Sequence, residues 1–169
     1  GTENRQCSAS ILGALRQLRD ERAVEGLIRV IEKGPQDLHR GAVDALLEVK
    51  PSMGQWLFDT YGPEIKSRVL GSLQETELSG GSLNLIKAGL KEENEQVRQM
   101  AQYVLGSRRY EQEQLLIELT ADDEPDVRAG AVAVLGRFNY RQYGERVQEV
   151  LKDRDAKVRI SAAKVLGRW

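Results

Sequence analysis

Aromatic side chains make up only 5% of this 169-residue chain, and cysteine and histidine occur once each, as Cys7 and His39. A lone cysteine excludes an internal disulfide and any paired-cysteine metal motif. A lone histidine leaves too little imidazole for a His-based metal site, so neither a metal nor a cofactor is expected. With so few aromatics, the core has to be built from Leu, Val, Ile and Ala. No apolar run approaches the roughly 18 residues needed to cross a membrane, and Gly1–Cys7 shows no signal-peptide pattern. Together these lead to the expectation of a cytoplasmic chain. Neither sign of charge dominates: Lys plus Arg is 25, Asp plus Glu is 26, and the net charge is −1. The basic excess that accompanies phosphate neutralisation is missing, so nucleic acid is not an expected partner. No segment alternates with period two over a useful length, so no sheet is expected.

What the chain does contain is repetition. A Val-Arg pair recurs at Val97-Arg98, Val127-Arg128 and Val158-Arg159, spaced by 30 and 31 residues (128 − 98 and 159 − 128). Three residues after each Arg stands Ala (Ala101, Ala131, Ala162), six after stands Val (Val104, Val134, Val165), seven after Leu (Leu105, Leu135, Leu166) and eight after Gly (Gly106, Gly136, Gly167). The Val before the Arg and the residues three, six and seven after it share one face of a helix. The glycine that follows is a helix stop. Asn94, Glu124 and Asp155 stand four residues before the arginines as helix starts. Glu is the poorest cap of the three, so Asp123 beside it is expected to take that role, with Pro125 in the first turn.

A second helix precedes each of these starts, marked by Leu115, Leu116 and Leu119 in one case and by Val147, Val150 and Leu151 in the next. Neither helix of such a pair can bury its apolar face alone, so neighbouring pairs must stack. The N-terminal half repeats more loosely. Arg40–Leu47 resembles Ala129–Gly136, and Leu15 lies one period (31 residues) before Leu46. A register with Leu12-Gly13 in the Leu-Gly slot and Arg5 in the Arg slot remains open, although the period favours the first. Leu46 to Leu105 spans two periods and hides one degenerate unit around residues 50–76. The expected helices are 4–18, 21–33, 37–49, 52–60, 63–76, 80–92, 95–106, 110–121, 125–138, 142–152 and 156–168. That is five pairs and one further helix in a single domain, read as a piece of a longer array.

The run Asp122-Asp123-Glu124-Pro125-Asp126-Val127-Arg128, followed by Ala131, Val134, Leu135 and Gly136, resembles the HEAT repeat. More narrowly it is similar to the phycobilisome-lyase HEAT-like subtype, whose second-helix opening Asp20–Ile28 resembles. The resemblance is strong over 92–169, good over 14–49 and weak over 50–90. It implies an all-α fold, a right-handed α-α superhelix whose first helices are convex and whose second helices line a concave groove. It also implies three functional classes: protein-binding scaffolds, bilin lyases and a group of DNA glycosylases. Fold does not choose among them.

The residues themselves favour a non-enzymatic scaffold that binds a protein or peptide partner. No phosphate loop, nucleophile elbow or zinc spacing is present. Arg98, Arg128 and Arg159 could form an anion-binding stripe, but an acid recurs six residues before each, at Glu92, Asp122 and Asp153. That pattern reads better as a structural ladder, each guanidinium reaching back to its acid and to loop carbonyls. The aromatic group Trp56, Phe58 and Tyr61 falls where the repeat breaks, and it is either a recognition patch or filling for the degenerate unit. Arg22, Glu25 and Arg29 are the partner-binding candidates on the first of the second helices. Cys7 reads as an incidental or core residue, and His39 as solvent-facing. The last helix reads as a first helix without its partner, with Trp169 partly exposed and edge-to-edge contact open to it.

Overall fold

The structure, a computed structural model, describes residues 21–75, 79–107, 113–138 and 141–169. The expected helix 4–18, Cys7 and both candidate registers of the first repeat lie outside the described residues. The chain divides into two units, Gly1–Thr76 and Glu77–Trp169. All regular structure among the described residues is helical.

The first unit holds α1 (Glu21–Lys33), α2 (Gln36–Val49), α3 (Met53–Thr60) and α4 (Pro63–Ser72), the last extended by a 3-10 turn at Leu73–Glu75. α1 lies on α2, α2 on α4, and α3 on both α2 and α4. Pro35 and Gly62 precede α2 and α4 with extended backbone, and Pro63 begins α4, where its missing N–H costs no helical bond. Leu27 and Ile31 of α1, Val43 and Leu46 of α2, Leu57 and Phe58 of α3, and Val69 and Leu70 of α4 are buried. Each such side chain contributes about 1.5–3 kcal/mol by leaving water. A core of medium aliphatics therefore suffices for a stack of thin helix pairs.

The second unit holds α5 (Gly80–Lys91), α6 (Glu95–Ser107), α7 (Glu113–Leu119), α8 (Pro125–Arg137), α9 (Gly144–Val150) after a 3-10 turn at Arg141–Tyr143, and α10 (Ala156–Leu166). The helices that carry the Val-Arg repeat stack directly on one another, α6 on α8 and α8 on α10, while α5, α7 and α9 pack beside the first helix that follows each of them. The repeated positions are the core: Val97, Ala101, Val104 and Leu105 on α6, Val127, Ala131, Val134 and Leu135 on α8, and Val158, Ala162 and Val165 on α10. The recurring glycine also takes part in stacking. A Cβ on Gly136 would stand 2.5 Å from Cγ2 of Val165, so the absence of a side chain lets α10 close onto α8.

Helix positions follow the sequence pattern within a few residues, and the differences cluster at ends. Helix 63–76 stops as α-helix at Ser72 and 142–152 begins as a 3-10 turn, because terminal turns tighten where their backbone groups, C=O at the end and N–H at the start, lack helical partners. Gly80 and Gly81 are the first turn of α5, capped by Ser79, whose Oγ accepts the Ser82 N–H at 3.2 Å.

Candidate functional site

The arginine row belongs to the loops that join second helices to first helices. Arg98 Nη1 donates to the carbonyls of Glu92 and Glu93 at 2.7 and 2.5 Å. Arg128 Nη1 donates to those of Asp122 and Asp123, both at 2.8 Å. Arg159 Nη1 donates to those of Asp153 and Arg154 at 2.8 and 3.1 Å. The three guanidiniums thus tie down the same two carbonyls of three successive loops. The carboxylate partner differs from the expected one. Arg128 does not grip the acid of its own loop. Its Nε and Nη2 form a two-pronged pair with Oδ2 and Oδ1 of Asp153, one loop further along, at 2.8 and 2.9 Å. Asp122 in turn accepts from Lys87 of α5 at 2.5 Å. Each of these acids therefore looks back to a cation of the preceding repeat.

The same acids shape their own loops. Asp122 Oδ1 accepts the Glu124 N–H at 3.0 Å, and Asp153 Oδ1 accepts the Asp155 N–H at 2.8 Å. Asn94 and Asp155 then cap their helices as expected, accepting from the backbone of Gln96 and Lys157. Neither Glu124 nor Asp123 supplies a side-chain cap to α8, and the bond to Asp122 holds that turn instead.

The electrostatics agree with the geometry. The Arg128 guanidinium holds the Asp153 carboxyl below the ordinary carboxylate range, against the upward push of burial. Burial likewise pushes Asp122 up, but the Lys87 ammonium, the Glu124 N–H and Arg128 together bring it below its ordinary value. The pairing with Asp153 also raises Arg128. Carboxyls held this way stay ionised at neutral pH and serve as anchors for cations rather than as proton donors.

A cleft of about 370 Å³ opens over this ladder, between the α7–α8 loop and the α9–α10 loop. Its polar walls bind one another. Arg146 donates from Nε to Thr120 Oγ1 at 2.8 Å and from Nη1 to Glu149 at 2.9 Å, and Arg154 donates to the Asp123 carbonyl at 3.2 Å. Among the described residues no group of three or more His, Cys, Asp or Glu side chains is arranged to hold a metal.

The three aromatics at the degenerate unit are divided by the structure. Phe58 is in the core at 2% exposure, with the Lys66 ammonium 5.1 Å from its ring centre. Trp56 is 37% exposed and meets Tyr61 edge to face, ring centres 5.6 Å apart. The Tyr61 hydroxyl is buried with no hydrogen-bond partner among the described residues. Burial, and then the nearby Glu32 carboxylate, push its phenol above the ordinary value. Glu25 and Arg29 are exposed on α1, one turn apart, while the Arg22 side chain lies outside the described set. His39 is not solvent-facing. It is half-buried, with Nε2 2.9 Å from the Gly34 carbonyl at the end of α1.

Sequence reading missed several contacts between helices. Arg68 of α4 pairs through two nitrogens with Asp44 of α2, Lys157 of α10 reaches Asp126 of α8, and Tyr143 bonds Glu113. Only the offset of 31 between Asp126 and Lys157 offered a signal, as opposite charges one period apart.

A family model described as HEAT repeats matches residues 112–169, the most regular part of the chain. No curated protein matches the sequence. Among solved structures, one similar to this chain is a designed armadillo repeat protein in complex with a peptide, (KR)4, at 14% identity and a TM-score of 0.40, covering 93% of this chain and 90% of that one. No described helix is long and apolar enough to cross a membrane.

Proposed function

We propose that this chain is a non-enzymatic scaffold that binds a protein or peptide partner through the exposed surface of its second helices. The observation that carries this reading is Trp56. It stands exposed on α3, a second helix, with the Tyr61 ring packed against it edge to face. An exposed tryptophan with a ring packed against it offers a large contact area at little ordering cost, the property of residues that dominate recognition surfaces. Elsewhere the conspicuous charged groups are consumed in holding loops together, which argues for scaffold over catalyst. The test is affinity capture with the wild-type chain and with Trp56→Ala, followed by titration of the captured protein. The expected result is native helicity with affinity reduced about tenfold or more. Unchanged affinity, or a variant that unfolds, rejects the reading. The narrower resemblance to phycobilisome-lyase HEAT-like proteins would add a tetrapyrrole to the same surface. Mixing with a bilin and finding no absorbance shift removes that addition.

A further inference from the structure

The break in the repeat leaves an aromatic corner on the surface of the first unit. Trp56 is exposed on α3, and the Tyr61 ring stands at 84° to it, centres 5.6 Å apart. An indole face is the best side-chain surface for a cation, because its π-electrons place partial negative charge above and below the ring. The unit already makes a contact of this kind in its interior, where the Lys66 ammonium lies 5.1 Å from the ring centre of Phe58, on the same helix as Trp56. Among the described residues no cation lies over Trp56.

Charge says what this corner accepts. Residues 51–65 contain Asp59 and Glu64 and neither Lys nor Arg. Asp59 follows Trp56 by one turn of α3, so the two share a side of the helix. Gln55 Nε2 donates to both Asp59 oxygens, at 2.9 and 3.0 Å, which holds the carboxylate without neutralising it. Burial, and then the Glu32 carboxylate of α1, push the Tyr61 phenol up. The phenol therefore stays protonated at neutral pH, and the carboxylates carry the charge. Glu32, Asp59 and Glu64 are exposed, and none forms an ion pair with a described residue, although Arg29 and Lys33 are on the same helix as Glu32. In the second unit, by contrast, Asp122, Asp126 and Asp153 each receive a cation. An anion brought to Trp56 would meet these carboxylates and the negative face of the ring. A cation would gain from both.

We propose that the Trp56–Tyr61 corner seats an arginine side chain from a basic segment of the protein partner, with Asp59 and Glu32 supplying the counter-charge; this rests on the reading of Trp56 as a recognition residue. Arginine suits the corner better than lysine, since a planar guanidinium stacks on the indole and still donates to a carboxylate from its rim.

The probes are labelled peptides of one length, built otherwise of Gly and Ser, that carry Arg, norleucine or Glu at the same places. Each is titrated against the full chain by fluorescence anisotropy. The Arg peptide should bind, the other two about fivefold or more weakly, and added salt should weaken the Arg peptide. Trp56→Leu should lower Arg-peptide affinity about fivefold. Glu32→Gln combined with Asp59→Asn should lower it and flatten its salt dependence, with helicity unchanged because both positions are exposed. Norleucine binding as well as Arg, no binding of the Arg peptide, or Arg-peptide binding unaffected by Trp56→Leu would overturn the proposal. The peptide comparison on the wild-type chain decides the matter even if a variant fails to fold. Affinity capture keeps the two levels apart. A partner lost from Trp56→Ala while the peptides bind alike overturns the arginine and leaves Trp56 as a recognition residue. A partner retained by Trp56→Ala rejects that reading and the proposal with it.

Discussion

Each unit contains an arginine that bridges successive repeats, and the two bridges are built for different loads. In the second unit, Arg128 and Asp153 are only 5% and 13% exposed at the side chain, and Arg128 also holds two loop carbonyls. In the first, Arg68 and Asp44 are 30% and 32% exposed and meet across two helices, with no loop carbonyl among the described residues bound to Arg68. Both are two-pronged guanidinium–carboxylate pairs. What separates them is water and what else the arginine holds. A pair near solvent contributes about 0–1 kcal/mol. Breaking a buried one costs about 3–5 kcal/mol, because the remaining charge is stranded without partner or solvent.

The largest expected effect breaks this comparison directly. Arg128→Ala should lower the stability of the second unit by about 3–5 kcal/mol, while Arg68→Ala should change that of the first by no more than about 1 kcal/mol. Urea denaturation of both variants, followed by circular dichroism, measures the difference. Equal losses would mean that burial and the carbonyl contacts are not what distinguish the two bridges. Partner affinity should survive Arg128→Ala wherever the fold does, since the arginine row holds loops.

Regularity in the sequence marked one of these bridges and was silent on the other. Arg128 recurs with Arg98 and Arg159 at one period, so its role could be read from spacing, and all three do anchor the same pair of loop carbonyls. The carboxylate partner was misassigned by one repeat. Spacing along a chain ranks the nearer acid first, whereas stacking brings the next loop within reach. Arg68 and Asp44 sit where the repeat degenerates, and nothing periodic joins them. The same limit applies to the aromatics. Trp56, Phe58 and Tyr61 are close in sequence, but on a helix Phe58 points to the opposite side from Trp56, and only packing decides which of them faces water. Helix positions were the most legible feature, since apolar spacing, proline and glycine determine them locally.

A smaller effect sharpens the comparison through pH. The Asp153 carboxyl in the folded chain lies below its unfolded value, so the folded state binds fewer protons there. Its contribution is fully present above the unfolded value, about pH 3.9, and is lost as pH falls through the folded one. Asp122 is shifted in the same direction and adds to the same window. Acid titration of stability should therefore leave the second unit level from neutral pH down to about pH 4 and then destabilise it. Asp153→Asn should be less stable at neutral pH and should show a shallower acid slope, with a remainder from Asp122. A slope unchanged by Asp153→Asn would place the acid sensitivity elsewhere.

The smallest effect tests the first unit where it departs most from the repeat. The Tyr61 hydroxyl is buried, and folding removes it from water with no hydrogen bond from a described residue in return. The ring itself packs against Trp56, centres 5.6 Å apart. Removing the hydroxyl while keeping the ring separates the two roles. Tyr61→Phe should leave stability unchanged or raise it by up to about 1 kcal/mol, since a desolvated donor is eliminated and the apolar contact is kept. It should also leave the Trp56 fluorescence maximum in place in a Trp169→Phe background, where Trp56 is the only tryptophan. A loss of stability would show that the hydroxyl has a partner when the chain is folded in solution. A shifted maximum at unchanged stability would show that the hydroxyl, and not the ring, fixes the orientation of Trp56.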